Sequence, residues 1–174
     1  MRNRHTTRRA FLGSSVLAGA ALPFPGPAVA RPEPTSDYVY EVTRTEAEWR
    51  RRLSEFEYQV LREGGTEWAR TSALWDDYRD GEFYCKGCDL HLYSSDWRVP
   101  LDKGWVFFAH SQPDAVLTDI DKSANYAMDG GNGRTLIEVH CRRCGSHMGH
   151  LLTVETELVH CINGVSLNFE PAAA

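Results

Sequence analysis

Four of the chain's five cysteines stand as two Cys-x-x-Cys pairs, Cys85/Cys88 and Cys141/Cys144, with 52 residues between the pairs. Four thiolates at this local spacing suit a closed tetrahedral zinc site, which would tie two distant parts of the chain to one point. Metal ligation of this kind contributes on the order of 10 kcal/mol to folding in small zinc modules, so few features constrain a fold more. Each pair follows strand-forming residues and enters a turn, Cys85-Lys86-Gly87-Cys88-Asp89 and Cys141-Arg142-Arg143-Cys144-Gly145. The competing reading is a pair of redox dithiols, but these sit at a helix start in a βαβ setting, a pattern absent here. Cys161, in Cys161-Ile162-Asn163, is left without a thiol partner. A spare cysteine beside a filled metal site is a candidate nucleophile; its competing reading is inert packing, because cysteine is among the most buried residue types.

Residues 1–30 read as an address rather than as part of the fold. Thr7-Arg8-Arg9-Ala10-Phe11-Leu12 is a twin-arginine pattern, a mildly apolar stretch covers residues 10–24, and Ala28-Val29-Ala30 offers a cleavage site. Gly13, Gly19 and Pro23 interrupt a run too short to span a bilayer, so no membrane span is expected after cleavage. The expected location is periplasmic or otherwise outside the cytoplasm. This route carries folded proteins, so zinc could be loaded before the thiols meet an oxidising compartment. Four of the 19 basic residues and none of the 24 acidic ones lie in this segment, so the remainder carries a net charge of about −9. That balance argues against nucleic acid or an anionic membrane as partner, since both need a basic face.

Residues 31–44 contain prolines and polar residues and read as a linker. One domain is expected over 45–171, with a short tail at 172–174. Over 45–63 the pattern is helical, with Trp49, Leu53, Phe56, Val60 and Leu61 recurring at three- and four-residue steps. Thr45 suits an N-cap and Gly64-Gly65 a stop, while Ser54 with Glu57 could instead cap a second helix. Beyond Gly65, strands are expected at 82–84, 90–93, 105–108, 136–140 and 165–169, from their content of β-formers. Asp80-Gly81, Asp102-Lys103-Gly104 and Asp129-Gly130-Gly131-Asn132-Gly133 supply the turns. The fold class is therefore mainly β: a compact antiparallel domain with a four-cysteine site and an N-terminal helical segment.

Over residues 53–171 the chain resembles the B-type peptide methionine-R-sulfoxide reductases. The likeness is carried by Gly65-Thr66-Glu67, Thr71-Ser72-Ala73-Leu74, both cysteine knuckles, Leu92-Tyr93-Ser94-Ser95-Asp96, Gly104-Trp105, Gly145-Ser146-His147-Met148-Gly149-His150, Cys161-Ile162-Asn163 and Ser166-Leu167-Asn168-Phe169-Glu170-Pro171. It implies antiparallel sheets with structural zinc on the knuckles, and reduction of R-configured methionine sulfoxide in proteins or peptides. Cys161 would be the nucleophile that becomes a sulfenic acid. His147 and His150 would line the sulfoxide site, Asn163 would hold the oxygen or a water, and Trp105 would pack on the S-methyl group. Without the resemblance, the histidines read equally as a satisfied turn or a replacement ligand, and Trp105 as core.

Five departures accompany the likeness. Val106-Phe107 follows Gly104-Trp105 where Pro-Ser is usual, Val159 and Leu136 stand where arginines are common, and His160 replaces a tyrosine. A positive charge at position 159 would favour a thiolate, and protonated His160 is the candidate substitute. Lys103 occupies the place of a resolving cysteine, so an external thiol, small or thioredoxin-like, is the expected reductant. Two other functions fit parts of the pattern: a non-enzymatic binding module using Trp97 and Trp105, and a thiol-based oxidant sensor using Cys161.

Overall fold

The computed structural model describes residues 38–121 and 136–173. The twin-arginine segment, its cleavage site and the glycine-rich turn at 129–133 lie outside the described residues. Sequence periodicity permits one helix or two, and the structure has two: α1 (Glu46–Arg52) and α2 (Glu55–Glu63). Each starts with a reciprocal capping box. The Thr45 hydroxyl accepts from the Glu48 N–H while the Glu48 carboxylate accepts from Thr45, and Ser54 and Glu57 repeat the arrangement. Each cap is worth about 1 kcal/mol. Gly64 ends α2 with a left-handed φ of 69°, a conformation that carries no penalty for glycine. The break at Leu53-Ser54 resets the helical phase. Phe56, expected on the buried stripe, is therefore exposed, and Tyr58 is buried in its stead.

Eight strands follow: β1 (Gly81–Cys85), β2 (His91–Ser94), β3 (Val106–Phe108), β4 (Val116–Ile120), β5 (Ile137–Cys141), β6 (His147–Val154), β7 (Glu157–Ile162) and β8 (Leu167–Pro171). All named pairings are antiparallel, in a three-stranded sheet ordered β2-β1-β8 and a five-stranded sheet ordered β3-β7-β6-β5-β4. The mainly antiparallel β fold expected from sequence is thus the observed one. Five of these strands coincide with sequence expectations and three, β4, β6 and β7, do not. β6 and β7 are interior strands of their sheet, and the first four residues of β6 are all buried, so the polar–apolar alternation that announces a strand is lost there. Their hairpin turn is only Glu155-Thr156, with Glu155 at φ 58° and no Gly or Pro to mark it.

The two sheets meet in an aromatic core. Tyr93 of β2 stacks on Phe108 of β3 with centroids 4.2 Å apart, and Phe83 of β1 meets Phe108 edge-on at 5.0 Å. Such pairs add about 0.5–1.5 kcal/mol each beyond burial. The helices close one side through Trp49, Leu53, Tyr58, Val60 and Leu61, and α2 lies against β6. Residues 38–44, assigned to the linker on sequence grounds, lie on the second cysteine knuckle: the Val42 N–H donates to Arg143 O at 2.9 Å, and Glu41 pairs with Arg142 at 2.7 Å. Among the described residues no helix is long and apolar enough to cross a membrane.

One glycine fixes how closely β6 and β7 approach. Gly149 has φ 154°, and a Cβ built there would lie 2.0 Å from the carbonyl oxygen of Cys161 on β7. Gly149→Ala should therefore lower the unfolding free energy by roughly 2 kcal/mol or more, read from denaturant or thermal unfolding. A variant as stable as the parent would show that the two strands can part without cost.

Candidate functional site

The two knuckles come from different sheets. Cys85 ends β1 in the three-stranded sheet and Cys141 ends β5 in the five-stranded one. Each chain then turns back on itself: the Asp89 N–H donates to Cys85 O and the Gly145 N–H to Cys141 O, both at 2.8 Å, with Asp89 and Gly145 left-handed. The turns bring the sulfurs of Cys85, Cys88, Cys141 and Cys144 within 4.8 Å of one another. The closest contacts run between knuckles, Cys85 to Cys144 at 3.7 Å and Cys88 to Cys141 at 3.6 Å. A tetrahedron with metal–sulfur bonds of about 2.3 Å has edges of about 3.8 Å, so these four thiols fit a single metal ion. Cys85, Cys141 and Cys144 are buried. Ser146 Oγ lies 3.2 Å from Cys144 Sγ, and Arg62 of α2 donates to Cys144 O at 3.0 Å. Helix α2 is thereby tied to the same junction.

Cys161 lies on β7, opposite His150 of β6 on one side and Phe107 of β3 on the other. Directly opposed residues share a face, with Cβ atoms about 4.5–5.5 Å apart. Val159, two residues back on β7, shares that face and is 1% exposed. Burial, and secondarily the charge of Glu67, push the Cys161 thiol up to about 12. His160 does not take the role of the missing arginine. It is adjacent to Cys161 on the strand and so points to the opposite face, where its Nδ1 meets the Tyr93 hydroxyl at 3.1 Å. Burial also lowers its pKa, so it is neutral at physiological pH.

The two site histidines are each tied to a carboxylate. His147 Nδ1 lies 2.7 Å from Glu138 Oε1, and His150 Nε2 lies 2.8 Å from Asp121 Oδ2. The rings are 5.2 Å apart, and both residues are buried. Glu138 holds the Nδ1 proton of His147 in place and leaves Nε2 for the site; that buried Nε2 has no hydrogen-bond partner among the described residues. Burial lowers the pKa of His150, against the opposing pull of Asp121.

Asn163 and Trp105 meet through a residue to which no role was given on sequence grounds. The Glu67 N–H donates to Asn163 Oδ1 at 3.1 Å, and Glu67 O accepts from Trp105 Nε1 at 3.3 Å. Asn163 Nδ2 donates in turn to Met148 O on β6 at 3.2 Å. The structure thus brings Cys161 and His150 together by strand register, His147 to His150 by ring contact, and Asn163 to Trp105 through Glu67. Sequence reasoning missed Glu138, Asp121 and Phe107 as site neighbours. Nothing local announces them, because the carboxylates stand 9 and 29 residues from their histidines. Glu67 was visible only as part of Gly65-Thr66-Glu67.

A thiol at about 12 instead of the ordinary 9.0 carries roughly a thousandfold less thiolate at pH 8. Alkylation of Cys161 by iodoacetamide, followed by mass spectrometry of its peptide, should accordingly be slow at pH 8 and still rising at pH 10. A plateau below pH 9 would show that the thiol is not held in its neutral form.

Comparison with known proteins follows the same residues. The SelR domain family matches the chain over residues 53–171. The peptide methionine sulfoxide reductase MsrB of Leptospira interrogans is 34% identical over 134 residues, covering 75% of this chain and 97% of the relative. The MsrB of Thiobacillus denitrificans is 36% identical over 132 residues, covering 74% and 94%. Peptide methionine sulfoxide reductase B3 of Arabidopsis thaliana is 34% identical over 138 residues, covering 76% and 73%. On both grounds the chain belongs to the SelR-domain, MsrB-type family.

Proposed function

We propose that the chain reduces methionine R-sulfoxide in proteins or peptides to methionine, with Cys161 as nucleophile. The observation that carries this reading is the placement of Cys161 opposite His150, with His147 in ring contact and both imidazoles tied to carboxylates. In the reaction the Cys161 sulfur attacks the sulfoxide sulfur, and the oxygen passes from methionine to cysteine. The methionine sulfur gains two electrons and the cysteine sulfur loses two, giving a thioether and a sulfenic acid. Because the thiol rests protonated, its proton must leave as the bond forms. His147 Nε2, bare while the Nδ1 proton is anchored on Glu138, is suited to take that proton as the bond forms and to pass the same proton to the sulfoxide oxygen. Asn163 would hold that oxygen, and Trp105 would face the S-methyl group.

Cys85, Cys88, Cys141 and Cys144 would hold zinc, which supplies a structural crosslink and takes no part in the chemistry. With those four committed and Lys103 in the position of a resolving cysteine, no sixth thiol is present to form a disulfide with Cys161. Two equivalents of an external thiol, small or from a thioredoxin-like protein, would return the sulfenic acid to thiol with release of a disulfide and water. The twin-arginine pattern supports export by that route to the periplasm or an equivalent compartment, where surface methionines meet oxidants. The apolar flanks of Cys161, Phe107 and Val159, favour one rival, a binding module with an idle cysteine.

One assay separates the two. With a thiol reductant, the purified protein should turn over the R epimer of a methionine-sulfoxide peptide and leave the S epimer, and Cys161→Ser should abolish turnover. His147→Ala should lower the rate by about 10²–10⁴-fold. Binding without turnover under any reductant would support the module and end the reductase reading.

Metal analysis should find one zinc per chain. Its removal by a chelator, or Cys141→Ser, should lower the thermal midpoint sharply, because three of the four ligands are buried between the sheets. A metal-free protein of unchanged stability would contradict the structural assignment.

A further inference from the structure

We propose that Glu67 is a positioning residue of the Cys161 site: its buried carboxylate clamps the turn that follows the nucleophile, while its own peptide groups hold Asn163 and Trp105. Its side-chain oxygens accept from two successive backbone N–H groups, Oε1 from Gly164 at 2.7 Å and Oε2 from Val165 at 2.9 Å. These amides begin two residues beyond Ile162, the last residue of β7, so the carboxylate grips the chain close to Cys161. The residue is 2% exposed, and no cation pairs with it among the described residues. A carboxylate buried against two amides and no counter-ion costs stability by desolvation, and packing alone would be served better by an apolar side chain. What the carboxylate supplies is two acceptors at one end of a side chain whose peptide groups reach two other site residues.

The turn has little freedom to be held any other way. A Cβ at Gly164 would lie 2.0 Å from Ser72 Oγ, so the backbone is pressed against the 66–74 segment that carries Glu67. That segment is itself fixed to the loop bearing Trp105, because the Arg70 N–H donates to Gly104 O at 2.8 Å. On the other side, Ser166 Oγ donates to His147 O at 3.2 Å. Nucleophile turn, oxygen ligand and indole are therefore registered through one residue. The clamp has an electrostatic side as well. Burial raises the Glu67 pKa against the two amide bonds, and its charge adds to the burial that keeps the Cys161 thiol neutral.

Two variants separate reach from charge, each normalised to its folded fraction by thermal melting. Glu67→Gln keeps the shape, removes the charge and turns one acceptor into a donor. Glu67→Asp keeps the charge and shortens the reach. Iodoacetamide should alkylate Cys161 about threefold or more faster at pH 8 in Glu67→Gln, as removal of a like charge demands, and no faster than the parent in Glu67→Asp. Sulfoxide turnover should fall tenfold or more in both. A purely structural residue would change neither rate per folded molecule, so Glu67→Gln with unchanged alkylation and turnover within twofold overturns the proposal. The parent protein provides an arm that needs no variant: the Gly164 and Val165 amide proton resonances should titrate together with the Glu67 carboxyl, above the ordinary glutamate range. Independent titration of the two amides overturns the clamp. The turnover arm alone rests on the reductase reading; if the parent protein reduces no sulfoxide, that reading fails while alkylation and amide titration still decide the role of Glu67.

Discussion

His150 faces Cys161 because β6 and β7 pair in one register, and side chains along a strand alternate between faces with a period of two. A slip of one residue would turn the cysteine toward the aromatic core and bring His160 onto the site face. Two features resist that slip. The short Glu155-Thr156 turn sets the pairing from one end, and Gly149 allows the strands to approach at the level of Cys161. The site is thus a consequence of strand register before it is a matter of side-chain chemistry.

Desolvation shapes the charge states on that face. It raises the thiol of Cys161 and lowers the imidazole of His150, which are the same effect acting on groups of opposite sign, since burial penalises whichever form is charged. Phe107 and Val159 extend the apolar surroundings on either side of the cysteine. The outcome is a face with a neutral thiol beside histidines whose orientation is set by carboxylates. A neutral sulfoxide is a fitting guest for such a face, because its approach requires no ion to be stripped of water.

The four-cysteine cluster and the aromatic core hold the same two sheets together by different means. Phe83, Tyr93 and Phe108 join them through burial, whereas the knuckles bring β1 and β5 to one point with sulfurs 3.6–3.7 Å apart. Arg62 then carries the junction to α2, and Ser146, beside Cys144, directly precedes His147. The start of β6 is accordingly anchored at the four-cysteine cluster, while its middle carries His150 opposite Cys161.

Much of this was legible in the chain. Two Cys-x-x-Cys pairs and one spare cysteine indicated a shared cluster and a separate thiol, because ligand number and local spacing are properties of sequence. The capping residues Thr45 and Ser54 and the β-rich strands were equally readable, since they depend on neighbours three or fewer positions away. β6 and β7 were not, because the buried start of β6 lacks the alternation that a solvent face imposes and their turn carries no Gly or Pro. The opposite face of His160 also escaped notice, since facing depends on which residues actually form the strand. The carboxylate partners were hidden for a related reason: Glu138, Asp121 and Glu67 act on residues 9, 29 and about a hundred positions away, joined to them only by folding. Sequence alone determined which chemical groups the protein possesses and the clusters that local spacing can build. Tertiary structure decided which of those groups meet, which face water, and which carboxylate governs which partner, because each of these depends on register and burial across distant segments.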